Sequence, residues 1–167
     1  MGYTLNQFAA ECHRLLVTDP GPAGRGKVVK LLEDVLTDAD FVATHLADDV
    51  PERKVIYEDP TLGFVICAHN NRSAKGSPPH DHASTWAIYG QAKGETLMTD
   101  WECVERPSDG KPGRVRRVRD YALKPGMAHL YNEGVLHSPR RDGPTKLIRL
   151  EGMNMDGVRR DAYEIAG

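Results

Sequence analysis

The sequence predicts a mainly β chain, a jelly-roll (double-stranded β-helix) barrel with α-helices at its N-terminal end. Two observations carry this. The hydrophobic period changes once, from three-to-four residues over positions 1–50 to two residues from position 54 onward. Beyond that change, short β-branched and aromatic runs recur between Gly- and Pro-rich turns, the pattern of a sandwich or closed barrel with eight or so strands. No internal repeat or low-complexity tract interrupts it. A chain of 167 residues is long enough to bury a core without staples, so 1–167 is expected to be a single domain, with the helical segment 1–50 packed on a barrel core over 54–152.

Leu5, Phe8, Ala9, Cys12, Leu15 and Leu16 recur at helical spacing, with Thr4 available as N-cap. Asp19-Pro20-Gly21-Pro22 ends this helix, Val28–Leu36 reads as a second and Asp38–His45 as a third. Lys54–Tyr57 and Gly63–Ala68 flank the turn Asp59-Pro60-Thr61-Leu62 as the first strands. Further strands are expected at Ser84–Tyr89, Glu95–Val104, Val115–Leu123, Met127–Tyr131 and Lys146–Glu151, separated by turns at Gly90–Gly94, Pro107–Gly113 and Arg141–Pro144.

The formal net charge of −2 offers no electrostatic reason to expect nucleic acid or an anionic membrane, which leaves small molecules as the natural partners. No apolar run approaches the ~18 residues of a membrane span, and the N-terminus lacks the basic and apolar regions of a secretory signal, so a cytoplasmic protein is expected. Cys12, Cys67 and Cys103 are odd in number and widely spaced, which suggests reduced thiols rather than a disulfide framework or a zinc knuckle.

The chemistry concentrates in Pro78-Pro79-His80-Asp81-His82, just before the strand-like run Ser84–Tyr89. Two histidines two residues apart on a strand project to one side with Cα atoms about 7 Å apart, a metal-binding half-site. His137, at the close of a later strand-like segment, would complete a three-imidazole set with open positions on the metal. An HxH on an exposed loop can also arise by chance.

These residues resemble the motifs of the cupin superfamily. Gly76, His80, His82 and Gly90 or Gly94 match its first motif, and Gly134-Val135-Leu136-His137 after the turn Leu123-Lys124-Pro125-Gly126 matches its second. The resemblance covers residues 54–152 and implies metal ligands at His80, His82 and His137. His129, in Gly126-Met127-Ala128-His129, competes for the third place, and the family's motif order favours His137. Where many cupins carry a ligating Glu, position 86 is Trp. The resulting three-histidine pattern resembles cysteine-dioxygenase-type bacterial cupins, which implies Fe²⁺ as cofactor, with Zn, Ni or Mn as alternatives. A neutral ligand set keeps the full charge of a divalent ion and favours an anionic thiolate or enolate.

One departure stands against a typical thiol dioxygenase. That family's Ser-x-His-x-Tyr triad has no counterpart in Leu147-Ile148-Arg149-Leu150-Glu151, and Ala87 replaces the Cys that cross-links to its Tyr in some members. Arg149 and Glu151 either replace the triad as catalytic groups or form an exposed strand-face ion pair. Trp86 and Ile88, by strand parity from His82, are expected to line the substrate pocket. Arg140 is the arginine assigned there, with Arg72 and Arg141 also near the motifs as carboxylate clamps. By the same parity Tyr89 faces away from the ligands; Tyr57 and Tyr131 are further hydroxyl donors. His69 reads as a loop residue or a partner to a ligand, His13 and His45 as structural, and Asp81 as a hydrogen-bonding loop residue. The expected function is a dioxygenase of a small thiol or dicarbonyl, with dioxygen as second substrate. A zinc or nickel hydrolase of a diketone or lactone and a metabolite-binding module are the rivals. The resemblance also implies a homodimer through outer strands.

Overall fold

The computed structural model describes residues 2–167. Thr4 starts the first helix through a reciprocal cap: its hydroxyl accepts from the Gln7 N–H at 3.1 Å and the Gln7 side chain accepts from the Thr4 N–H at 3.0 Å. Helix α1 (Leu5–Thr18) buries Phe8, Ala9, Cys12 and Leu16. Helix α2 (Pro22–Leu36) begins six residues before the expected Val28, because Pro22 takes the first-turn position, where its fixed φ is pre-organised and its missing N–H costs nothing. Asp38 caps the short α3 (Ala39–His45) by accepting from the Asp40 and Phe41 N–H groups.

Ten strands follow among the described residues: β1 (Arg53–Glu58), β2 (Val65–Asn71), β3 (Lys75–Gly76), β4 (Ala87–Lys93), β5 (Thr96–Glu105), β6 (Gly113–Leu123), β7 (Ala128–Tyr131), β8 (Leu136–Arg141), β9 (Thr145–Glu151) and β10 (Tyr163–Ile165). They form two five-stranded sheets, ordered β1-β2-β9-β4-β7 and β10-β6-β5-β8-β3. Pairing is antiparallel throughout except between β10 and β6. This is the jelly-roll architecture that the alternating strand pattern predicts, with the helices covering one sheet.

The first sheet has two chemically different faces. Ile66, Ala68, Ile88, Ile148 and Leu150 point outward and share one apolar cluster with Phe8, Val28, Leu32, Val35 and Phe41 of the helices. The alternate residues Cys67, His69, Tyr89, Arg149 and Glu151 point into the barrel. Helix α2 lies so close to the sheet that a Cβ on Gly90 would fall 2.6 Å from Leu32 Cδ2. Gly90 is therefore not the turn residue its sequence context suggests; it is a mid-strand residue of β4 whose missing side chain admits the helix.

Candidate metal centre

Backbone pairing brings two of the three histidines together. His80 and His137 form a β-bridge in which the His80 N–H donates to the His137 carbonyl at 3.0 Å and the His137 N–H to the His80 carbonyl at 2.9 Å. Each ring is then oriented by its own chain. His80 Nδ1 lies 2.9 Å from the Pro78 carbonyl and His137 Nδ1 3.0 Å from the Val135 carbonyl. A carbonyl can only accept, so both Nδ1 atoms carry the proton and both Nε2 atoms of the neutral rings are bare. His82 completes the set, its Nε2 at 3.2 Å from His137 Nε2, and one nitrogen from each of the three rings lies within 4.8 Å of the others. Burial lowers the pKa of all three, and the proximity of the other imidazoles adds to this for His82 and His137. Three neutral imidazole nitrogens aimed at one point repel unless a proton or metal ion lies between them. The donor set fits a divalent ion.

His82 reaches this point through a turn. The Asp81 carboxylate accepts from the Ala83 N–H at 2.9 Å, Ala83 adopts φ +54°, and the Thr85 N–H donates to the His82 carbonyl. Asp81 is thus the hydrogen-bonding loop residue expected. The same turn overturns the parity argument for the substrate pocket, since His82 lies outside β4 and the face on which it projects says nothing about residues 86–89. Trp86 and Ile88 belong to the helix-facing apolar cluster, and the Arg25 guanidinium sits 5.5 Å from the Trp86 ring centroid. Tyr89, expected to face away, is the residue that enters the site. Its hydroxyl lies 3.0 Å from His82 Nε2 and 3.2 Å from His137 Nε2.

His129 stands apart from the ligand set. Its ring packs at a tilt between Tyr121 and Tyr131, and Tyr131 in turn stacks on His137 with centroids 4.1 Å apart. His13 bonds Asp59 at 2.8 Å and His45 packs on Phe41, both structural positions.

Arg140 is exposed and pairs with Asp142, so it does not line the pocket beside the histidines; its neighbour Arg141 does. Arg72 is exposed and donates to the Asp48 and Val50 carbonyls. Arg149 and Glu151 are not an exposed pair: both project into the barrel, with Glu151 1% exposed. Arg149 stacks on Tyr89, its guanidinium carbon 4.2 Å from the ring centroid. Glu151 accepts from Arg53 at 3.1 Å and has Arg149 at 3.8 Å.

His69 is likewise no loop residue. It is buried on β2, and with Cys67 and Glu151 it forms a second group whose donor atoms lie within 4.8 Å of one another. Arg53 already occupies that group, donating to Cys67 Sγ at 3.2 Å as well as to Glu151. Burial pushes the Cys67 thiol up to about 11, and burial with the nearby Arg149 and Arg53 keeps His69 neutral.

No family model matches this chain, and no curated protein does. Solved structures are similar in fold. A cupin superfamily protein of Desulfitobacterium hafniense is 11% identical over 61% of this chain and 76% of its own, with a TM-score of 0.44. KdgF from Halomonas sp. is 18% identical over 62% and 82%, with a TM-score of 0.44. A cupin-2 domain containing protein of Shewanella frigidimarina is 14% identical over 70% and 95%, with a TM-score of 0.45. The likeness is one of fold alone. No helix among the described residues is long and apolar enough to cross a membrane.

Proposed function

We propose that this chain is a mononuclear, three-histidine Fe(II) dioxygenase of a small thiol or dicarbonyl, resembling cysteine-dioxygenase-type cupins in its ligand set. The observation that carries the reading is the convergence of three imidazoles without a carboxylate, one nitrogen of each within 4.8 Å of the others, beside a cavity of ≈ 470 Å³ lined by His80, Tyr89 and Arg149. A bound ferrous ion supplies redox chemistry toward dioxygen and a Lewis acid for the substrate's thiolate or enolate.

The protein's own groups hold the geometry. The carbonyls of Pro78 and Val135 fix the tautomers of His80 and His137, which keeps their Nε2 lone pairs directed at the metal position. Tyr89 offers a hydroxyl at that position, able to donate a hydrogen bond to a reacting atom. Tyr89 and Arg149 are directly paired across β4 and β9. A tyrosine hydroxyl therefore reaches the centre from the strand next to the one that bears the Ser-x-His-x-Tyr triad in thiol dioxygenases, and Arg149 backs its ring.

Oxygen uptake after anaerobic Fe(II) loading tests the reading, with a panel of small thiols and 1,3-dicarbonyls. Iron-dependent uptake is expected with at least one of them. Cysteine should be a poor substrate by orders of magnitude, because Leu147, Arg149 and Glu151 replace the orienting triad and positioning is worth several kcal/mol of barrier. No uptake with any panel member at full iron occupancy overturns the assignment.

A further inference from the structure

The cavity beside the three histidines is lined by five cationic side chains, Arg53, Lys75, Arg141, Arg149 and Arg160, against the single carboxylate Glu52. Ion pairs within the protein account for some of these. Lys75 pairs with Glu52, and Arg53 with Glu151 and Asp156. Arg141 is different. It is 5% exposed, yet among the described residues its side chain has no carboxylate within salt-bridge distance. Its one hydrogen bond is Nε donating to the neutral hydroxyl of Thr96 at 3.2 Å, and Nη2 is buried without a partner. Arg149 beside it has only Glu151 at 3.8 Å and leaves its own Nε unpartnered. His69, on the same cavity wall, leaves Nε2 unpartnered.

A buried guanidinium without a counter-charge carries an uncompensated desolvation cost, which folding alone gives no reason to retain. Burial and the nearby Arg149 push the Arg141 pKa down to about 10, so the group is still charged at neutral pH, and Arg141 and Arg149 face the cavity without a close carboxylate partner. Electrostatics of this kind are balanced by an anion held in the cavity, and the guanidinium fork matches the oxygens of a carboxylate or phosphate.

We propose that Arg141 and Arg149 form an anion subsite, with His69 as a third polar contact, that holds the carboxylate or phosphate group of the substrate while its reactive end lies toward His80 and Tyr89. The naming of that anion as part of a substrate rests on the dioxygenase reading, but the subsite itself does not require the metal.

The test therefore uses the metal-free protein. Thermal unfolding is followed while sodium acetate or inorganic phosphate is titrated in, with sodium chloride at matched ionic strength as the reference. The wild type should be stabilised saturably by acetate or phosphate beyond the chloride control, and whichever saturates at lower concentration identifies the headgroup. Arg141→Met, which keeps the side chain's length and removes its charge, should weaken the apparent affinity about tenfold or more, the equivalent of one lost charge-assisted hydrogen-bond pair. The same variant should melt higher than wild type in chloride alone, because it removes an unpaired buried charge. Arg141→Lys should keep a weakened response. A purely structural Arg141 gives the reverse, a lower melting temperature in Arg141→Met with the anion response intact, and that result overturns the proposal, as does a wild type indifferent to both anions. Metal loading of Arg141→Met, measured separately, should remain stoichiometric, so failure of the subsite and failure of the three-histidine reading are distinguishable.

Discussion

Two clusters of metal-ligating residue types share one barrel interior and differ in what fills the space between them. In His80, His82 and His137 the imidazoles are uncharged, the rings of His80 and His137 are tied back by carbonyls, and one nitrogen of each ring lies within 4.8 Å of the others. In Cys67, His69 and Glu151 the donor atoms are equally close, but the Arg53 guanidinium bridges thiol and carboxylate, and Arg149 lies beside them. A cation would have to displace an arginine there. Proximity of ligating residue types is thus a weak criterion; the tautomers and the charges already in place decide which cluster can take a metal.

The largest expected effect breaks the first cluster. His137→Ala should abolish stoichiometric metal binding, measured by metal content after equilibrium dialysis. His129→Ala, which removes a ring packed behind Tyr131 and so two places from His137, should leave the stoichiometry intact and cost at most the ~10- to 100-fold in affinity typical of groups behind a ligand. An empty site in His129→Ala beside a full one in His137→Ala would reverse the ligand assignment. The second cluster should respond oppositely. Glu151→Gln removes the carboxylate shared by Arg53 and Arg149, and breaking a buried pair from one side costs about 3 kcal/mol, the lower end of the usual range because Arg53 retains Asp156. Chemical denaturation should show that loss while the metal content stays unchanged. A Glu151→Gln variant of wild-type stability that no longer binds metal would mean the two clusters have been assigned the wrong way round.

The first cluster was legible in the sequence and the second was not, for physical reasons. The HxH pair and His137 sit in short motifs bounded by Gly and Pro, so their spacing can be read without knowing any strand register. Cys67 and His69 lie on β2, which is buried along its whole length because helices cover one face and the barrel interior the other. A strand buried on both faces shows no alternation, so Val65–Asn71 gives no sign of which residues point inward. Of the three arginines near the motifs, the sequence favours Arg140 for the pocket, whereas Arg141, one position on, is the one that lines it. His137 was expected at the close of a strand-like segment but lies second in β8, and without that strand no face could be assigned. Trp86 and Tyr89 were exchanged because parity holds only within a continuous strand, and the turn at Ala83 breaks it. The helices were better read than the barrel interior, since their apolar stripes face a single apolar cluster.

The smallest expected effect sharpens the comparison at the residue that joins the two clusters. Tyr89 stacks against Arg149 of the second cluster while its hydroxyl lies within hydrogen-bond distance of two ligand nitrogens of the first. A metal ion held by those nitrogens would have the phenol oxygen within reach as a further ligand. Tyr89→Phe keeps the ring and its stacking on Arg149, so the fold and the metal stoichiometry should survive, with affinity lowered by no more than about tenfold, 1.4 kcal/mol. The decisive reading is spectroscopic. Ferric-loaded wild type should show a visible phenolate-to-iron charge-transfer band, and Tyr89→Phe at equal iron content should lack it. A band that persists in Tyr89→Phe would place another group on the metal. A colourless ferric wild type would confine Tyr89 to hydrogen bonding and leave the three imidazoles as the whole protein contribution to the centre.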